Sequence, residues 1–202
     1  MLPMSGAGIL VVAFVAGSIP FSNIAARCTR GVDLRSVGTG TVSGTALYRV
    51  AGFPALAVAG ICDVAKGALG PALAGSGRPT LAALAGAVAV VGHDWSPFLK
   101  GAGGRGIAPA LGALLVQAWP GAIFLLAGLV LGKALGQTGL GGFGAEVLLA
   151  PFLLAVDGPT AALAGLLVVL PMLAKRVLGN GRPAEPGPRA YVTRLLFDRE
   201  LA

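Results

Sequence analysis

Residues 4–26 read MSGAGILVVAFVAGSIPFSNIAA and contain no charged side chain. A transmembrane α-helix needs about 20 consecutive, mainly apolar residues to cross the hydrocarbon core of a bilayer. The stretch therefore predicts a membrane-spanning helix, and residues 50–74 form a second apolar run of this length. No basic segment precedes 4–26, as it would in a cleaved signal peptide, so we interpret the stretch as a retained membrane helix.

The composition of the whole chain agrees with this interpretation. Of 202 residues, 55% are hydrophobic and 11% are charged, whereas soluble domains carry about 25% charged residues. The length suits one compact bundle, and the 33 glycines would let its helices approach closely. Cys28 and Cys62 are too few and too far apart to predict a disulfide framework or a metal site.

Seven apolar runs predict an all-α, polytopic membrane bundle of about seven transmembrane helices. The runs are 4–26, 50–74, 80–91, 107–118, 120–135, 145–156 and 159–173. With the N-terminus outside, 13 of the 15 Lys and Arg side chains fall on the cytoplasmic side, as the positive-inside rule predicts. The exceptions are Lys66, which lies within the second run, and Arg78, which lies outside. A membrane domain is predicted over 1–178 and a cytoplasmic tail over 179–202.

The charges limit the classes of partner. The formal net charge is +7, and the cations lie mostly in loops and in the tail. That distribution suits anionic lipid headgroups or a phosphorylated substrate, and it predicts no nucleic-acid partner. Leu195, Leu196 and Leu201 have arginines beside them, which suits a short amphipathic helix on the inner membrane surface.

Two basic, glycine-rich loops follow the first and third runs. The first reads RGVDLRSVGTGTVSGTALYRVAG over 30–52 and the second reads HDWSPFLKGAGGRGIAP over 93–109. Backbone N–H groups and hydroxyls of such loops can bind an anion, with Arg49, Lys100 and Arg105 as added donors. The alternatives are a flexible turn with N-capping threonines for the first loop and a structural role for His93, which is otherwise a candidate general base.

The second run carries an ionisable pair. Asp63 and Lys66 are three residues apart and therefore lie on one face of a helix. Ionisable groups within membrane helices are costly and usually face the protein interior. Two interpretations stay open: a substrate site, or a neutralising pair that only positions the bundle.

These segments resemble the bacterial acyl-phosphate-dependent glycerol-3-phosphate acyltransferases, which are integral membrane enzymes of phospholipid synthesis. The family's Gly-Ser-Ile-Pro-Phe stretch is matched at 17–21, and its GSGNIGATN loop followed by arginine is matched at 38–46 and Arg49. Its Asp-x-x-Lys-Gly pattern is matched at 63–67, and its GHxFPVFLKFKGGKGVAT loop at 92–109. The matches are in the family's order and spacing.

The chain departs from the family pattern at several polar positions. The loop serine is Thr39, which keeps a hydroxyl, and the glycine-loop lysine is Arg105, which keeps the charge. Other polar family positions have lost their amide, amine, hydroxyl or imidazole, and they fall on Thr41, Ala46, Ala102, Pro109, Pro188 and Tyr191.

The resemblance implies acyl transfer from a fatty acyl phosphate to the 1-hydroxyl of glycerol 3-phosphate on the cytoplasmic face of the inner membrane, without cofactor or metal. It implies Thr39 and His93 as catalytic side chains, Thr39 by positioning and His93 as an alternative proton acceptor to a substrate phosphate. The residues assigned to substrate phosphates are Arg49, Lys66, Lys100, Arg105, Gly38, Gly40, Thr41, Gly103, Gly104 and Gly106. The departures leave a second hypothesis, an inactive or substrate-shifted member that binds or transports a lipid phosphate.

Overall fold

The computed structural model describes residues 4–183 and 186–199, and these ranges form an all-α bundle. The α-helices of the described residues are α1 (Gly6–Ser18), α2 (Phe21–Arg30), α3 (Gly44–Ala74), α4 (Pro79–Asp94), α5 (Ile107–Gln117), α6 (Trp119–Ala134), α7 (Thr138–Val156), α8 (Pro159–Leu178) and α9 (Pro188–Phe197). Two short 3₁₀ turns, Leu34–Ser36 and Pro97–Leu99, lie in the loops after α2 and α4. The predicted all-α bundle is confirmed.

Each apolar run falls on helical structure, although the ends differ. The largest difference is α7, which begins at Thr138 rather than at residue 145. Four segments of the described chain are long and apolar enough to cross a membrane, namely 6–30, 44–74, 138–156 and 159–178. The helices α5 and α6 are apolar but shorter. Seven crossings and an outside N-terminus therefore remain predictions.

The first two runs are interrupted where the backbone leaves the helical region. Pro20 has no N–H to donate and disfavours helical backbone in the residue before it, and Ile19 is extended with ψ 118°. In α3 the interruption is at Gly52, whose φ of 78° suits glycine and whose ψ is −175°. The segment 44–51, which carries Arg49, therefore does not continue the axis of the rest of α3.

Glycines bring α3 and α5 into direct backbone contact. A Cβ atom added at Gly67 would lie 2.0 Å from the carbonyl oxygen of Pro109, and one added at Gly112 would lie 1.9 Å from that of Val64. No side chain fits at either position. Small residues serve the same purpose between membrane helices in general, since they let backbones approach closely.

A buried ion pair joins α7 to α8. The guanidinium of Arg176 donates to both carboxylate oxygens of Glu146, at 2.8 and 2.9 Å, and the two side chains are 3% and 1% exposed. Lys175 is also fully buried, with Nζ 5.0 Å from the centre of the Trp95 ring. The charge count along the sequence groups these two cations with the tail, but the structure encloses both within the bundle.

The last helix folds back onto the bundle. α9 packs against α7 and α8, and its Ala190 and Arg194 are buried. The Arg194 guanidinium donates to the carbonyl oxygens of Leu178 at 3.1 Å and Gly181 at 2.9 Å, just beyond the end of α8. Leu201, which belongs to the predicted amphipathic segment, lies outside the described residues.

Candidate active site

The two glycine-rich loops are joined to each other by their backbones. The N–H of Val42 donates to the carbonyl oxygen of Gly103 at 3.0 Å. Val42 and Leu99 are buried in one apolar cluster with Leu34, so both loops are anchored in the same part of the core. The predicted meeting of the loops on one face of the protein is thus present in the structure.

Asp33 braces the start of the first loop. It forms ion pairs with Arg27 and with Arg35, the latter at 2.7 Å. The hydrogen bonds from Arg35 and Arg27 hold the pKa of the Asp33 carboxyl well below its usual range, despite partial desolvation. Arg35 also donates to the carbonyl oxygen of Leu99 at 3.4 Å, which ties the first loop to the second.

Consecutive residues of the first loop face two different cavities. Thr41 lines an open groove, whereas Val42 lines a small cleft inside the bundle. Neighbouring side chains of an extended segment point to opposite sides. We call these cavities the outer groove and the inner cleft, and the paired segments 41–42 and 103–104 between them the loop partition.

The outer groove is basic and large enough for a small ligand. Its lining residues are Gly38, Thr39, Thr41, Arg105, Asn180, Gly181, Arg182 and Arg194. Its volume of about 290 Å³ is near the lower end of the roughly 300–1,000 Å³ found in small-molecule sites. The hydroxyls of Thr39 and Thr41 are 3.0 Å apart, so one of them can donate to the other while both stay beside the groove.

Arg105 is the charged residue that connects the second loop to the outer groove. Its Nη1 donates to the carbonyl oxygen of Lys175 at 2.7 Å, and its Nε lies 2.7 Å from a carboxylate oxygen of Asp198, beyond the end of α9. The Arg105 side chain is 10% exposed. Its guanidinium is therefore paired with one carboxylate, and its assignment to substrate phosphate remains a prediction.

The inner cleft contains the ionisable pair of α3. Lys66 Nζ lies 2.7 Å from Asp63 Oδ1 and donates to the carbonyl oxygen of Ile19 at 2.6 Å. Ser22 donates to the other oxygen of Asp63 at 3.2 Å. The cleft has a volume of about 10 Å³, which is room for one water molecule. Lys66 is therefore held as a paired, buried cation, and its assignment to substrate phosphate remains a prediction.

His93 lies on the cleft side of the loop partition. Its side chain is 11% exposed, and Nδ1 is 3.8 Å from Asp63 Oδ1. A Cβ atom added at Gly104 would lie 2.1 Å from His93 Nε2, so the Gly104 backbone covers the other ring nitrogen. His93 therefore does not line the outer groove, and its predicted role as a proton acceptor has no direct geometric support in this arrangement.

The remaining predicted residues divide between loop geometry and exposed surface. Gly38, Gly40 and Gly106 have positive φ values of 56°, 70° and 72°, and Gly106 is the N-cap of α5. Arg49 and Lys100 are exposed and lie outside the described walls of both cavities. Their assignment to phosphate binding remains a prediction. No group of three or more His, Cys, Asp or Glu side chains that could hold a metal occurs within 4–183 and 186–199.

Residues of the tail contribute to this site, which was not predicted from the sequence. Asn180 and Arg182 line the outer groove, and Asp198 pairs with Arg105. Along the sequence, Asn180 and Arg182 belong to a Gly/Pro-rich connector. One signal was present, because an asparagine between two glycines shortly after an apolar run is typical of a tight helix-ending turn.

Comparison with known proteins gives one consistent result. The glycerol-3-phosphate acyltransferase family matches residues 7–178. Glycerol-3-phosphate acyltransferase 2 of Moorella thermoacetica is 45% identical over 117 residues, which are 57% of this chain and 59% of that protein. The enzyme of the same name from Myxococcus xanthus is 42% identical over 111 residues, 54% of this chain and 58% of that one. The matched part thus spans about three fifths of these two relatives.

Longer matches support the same relationship. Glycerol-3-phosphate acyltransferase of Caulobacter vibrioides is 36% identical over 159 residues, which are 75% of this chain and 72% of that protein. The glycerol 3-phosphate form of PlsY (YgiH), an integral membrane glycerol 3-phosphate acyltransferase, superposes with a TM-score of 0.79 and 25% identity, over 98% of this chain and 95% of that one. The family match, the relatives and the solved structure agree, and this chain belongs to the glycerol-3-phosphate acyltransferase family.

Proposed function

We propose that this membrane protein transfers a fatty acyl group from acyl phosphate to the 1-hydroxyl of glycerol 3-phosphate, giving lysophosphatidic acid and inorganic phosphate. The observation that carries the proposal is the outer groove, where Arg105, Arg182 and Arg194 surround a loop bearing two hydroxyls. Guanidinium groups and hydroxyls are the donors that suit a phosphate. The relative in its glycerol 3-phosphate form supports the same acceptor.

The electrostatic demand of this reaction fits the groove. Both substrates carry a phosphate group that is largely dianionic near neutral pH, so their reacting ends repel each other unless cations and polar groups surround them. Donors fixed where negative charge develops stabilise the transition state strongly in a site that excludes bulk water. We assign the glycerol 3-phosphate phosphate to Arg105, the Thr39 and Thr41 hydroxyls and the backbone of 38–41.

The chemical step needs no covalent intermediate on the protein. The 1-hydroxyl oxygen attacks the carbonyl carbon of acyl phosphate, the bond from that carbon to the phosphate oxygen breaks, and inorganic phosphate leaves. The hydroxyl proton goes to a phosphate oxygen. His93 is the less direct acceptor, because it lines the inner cleft behind Gly104.

The active face is assigned to the cytoplasm. Both glycine loops and the tail meet at one end of the bundle, and the positive-inside rule would turn that basic end toward the cytoplasm. Glycerol 3-phosphate would enter the groove from water, while the acyl chain would lie along the apolar outer surface of the helices.

Purified protein in detergent with radiolabelled glycerol 3-phosphate and acyl phosphate should form labelled lysophosphatidic acid. Parallel reactions with acyl-CoA should form less product if acyl phosphate is the donor. A folded protein that forms no product from either donor would reject the enzyme and favour the second hypothesis, a protein that binds or transports a lipid phosphate. More product from acyl-CoA would reject the donor only.

Asp198→Asn should lower the KM for glycerol 3-phosphate by about two- to fivefold. The Asp198 carboxylate lies 2.7 Å from Nε of Arg105 and competes with a substrate phosphate, and partly exposed ion pairs of this kind contribute up to about 1 kcal/mol. Initial rates at varied glycerol 3-phosphate measure the effect. Asp157→Asn removes an exposed carboxylate between α7 and α8 and serves as the control. A KM that stays the same or rises in Asp198→Asn contradicts the competition.

A further inference from the structure

Asn180 lies in the turn that leads from the end of α8 to the outer groove, and its side-chain amide uses both its donor and its acceptor groups. α8 ends at Leu178, and Gly179 reverses the chain with a φ of 63°. The Asn180 amide nitrogen donates to the carbonyl oxygens of Gly40 and Gly103, each at 2.9 Å. Its amide oxygen accepts from the N–H of Gly103 at 3.0 Å. An asparagine amide has two donor hydrogens and one carbonyl acceptor, and here both kinds of group are used.

These bonds join three segments that are far apart in sequence. Gly40 lies between Thr39 and Thr41 in the first loop, and Gly103 lies two residues before Arg105 in the second. Asn180 therefore connects the hydroxyl side of the outer groove to its guanidinium side. Without the Asn180 amide, the carbonyl oxygens of Gly40 and Gly103 would need another hydrogen-bond partner, such as water.

Two arginines form hydrogen bonds with the backbone around the turn that carries Asn180. Arg194 donates to the carbonyl oxygens of Leu178 and Gly181, on either side of the turn. Arg105 donates to the carbonyl oxygen of Lys175 in the last turn of α8. Cations commonly satisfy the open carbonyls at a helix C-terminus. The end of α8 is thus a fixed point from which Asn180 reaches both loops.

We propose that Asn180 is a positioning residue that sets the spacing between the Thr39–Thr41 hydroxyls and the Arg105 guanidinium, and thereby the affinity for the phosphate of glycerol 3-phosphate. This inference rests on the proposed assignment of that phosphate to the outer groove. Asn180 acts through the loops rather than on the reacting atoms. Its loss should weaken acceptor binding more than it changes turnover at saturation.

The test compares direct binding of glycerol 3-phosphate by calorimetry with steady-state kinetics. Asn180→Ala removes all three hydrogen bonds and should weaken glycerol 3-phosphate binding about tenfold, because part of the binding free energy must then order the two loops. The KM for the acyl donor should change less than that for glycerol 3-phosphate, because only the phosphate of glycerol 3-phosphate is assigned to the spacing that Asn180 sets. Asn180→Asp keeps the acceptor oxygen but loses both donors and adds a negative charge, so it should bind no better than Asn180→Ala.

Gln117→Ala is the matched control. It removes an amide that donates to the carbonyl oxygen of Ala113 at the far end of α5, and glycerol 3-phosphate binding should be unchanged. Unchanged binding in Asn180→Ala, with or without a lower melting temperature, would overturn the inference, as would a wild-type protein that does not bind glycerol 3-phosphate. Wild-type binding without turnover would reject the proposed reaction, and the tenfold difference between wild type and Asn180→Ala would still support the positioning role.

Discussion

Arg105→Ala should lower kcat/KM for glycerol 3-phosphate by about 100-fold or more, because removal of one preorganised donor from a transition-state site typically has an effect of this size. The Arg105 side chain is 10% exposed, and its guanidinium is oriented by the Lys175 carbonyl and by Asp198. It is therefore fixed before the substrate arrives. The measurement is the initial rate of lysophosphatidic acid formation as glycerol 3-phosphate is varied.

Arg105→Lys separates the effect of charge from that of geometry at this position, and Lys133→Ala is the control. Arg105→Lys keeps the positive charge but loses the planar fork of donors, so its kcat/KM should lie between those of the wild type and Arg105→Ala. Lys133→Ala removes an exposed cation at the end of α6 and should retain the wild-type rate. The Arg105→Ala protein should remain folded, since Asp198 is 29% exposed and can be hydrated. A wild-type rate in folded Arg105→Ala would exclude Arg105 from the site.

Glu146→Ala should reduce the free energy of unfolding by about 3–5 kcal/mol, because it leaves the Arg176 guanidinium buried without its carboxylate. The pair has two hydrogen bonds of 2.8 and 2.9 Å between side chains that are 1% and 3% exposed. For a protein of this length, the melting temperature should fall by on the order of 10 °C. Thermal unfolding of the purified protein in one detergent measures the change.

The double variant Glu146→Met with Arg176→Met tests the reason for the loss. Replacing both members of a buried ion pair by apolar side chains is often close to neutral, so the double variant should regain most of the stability. Gly144→Ala is a control on the same helix, since nothing lies within 4 Å of a Cβ atom added there. A double variant as unstable as Glu146→Ala would show that the unpaired charge is not the cause.

The fold was predictable because the membrane imposes a simple requirement on the chain. Apolar runs mark the helices. The break of the first run at Pro20 was not predicted, although it follows from chemistry that is local to the proline ring. The interruption at Gly52 was not predicted either, because glycine occurs at many positions in this chain and only packing decides which one adopts a positive φ. Helix ends such as that of α7 also depend on neighbours, including the Arg176 bond to Gly139.

The site was predictable to the extent that its parts are local. The two glycine loops contain their own hydroxyls and Arg105, and orientation rules place both loops at one end of the bundle. Asn180 and Asp198 enter through contacts with residues far away in the sequence, 140 residues in the case of Asn180 and Gly40, and no local pattern reports such contacts. The division between Arg105 in the outer groove and Lys66 in the inner cleft depends on how the two loops pack between them, which the sequence does not show.

The loop partition also separates two cavities of very different size. One side presents Thr41 to the open groove of about 290 Å³, and the other presents Val42 to a cleft with room for about one water molecule. Asp63, Lys66 and His93 lie on the cleft side, and Asp63 and Lys66 are only 3% and 5% exposed. The partition therefore allows one bundle to hold an open, basic groove and a nearly closed cluster of ionisable groups on opposite sides of two short loop segments.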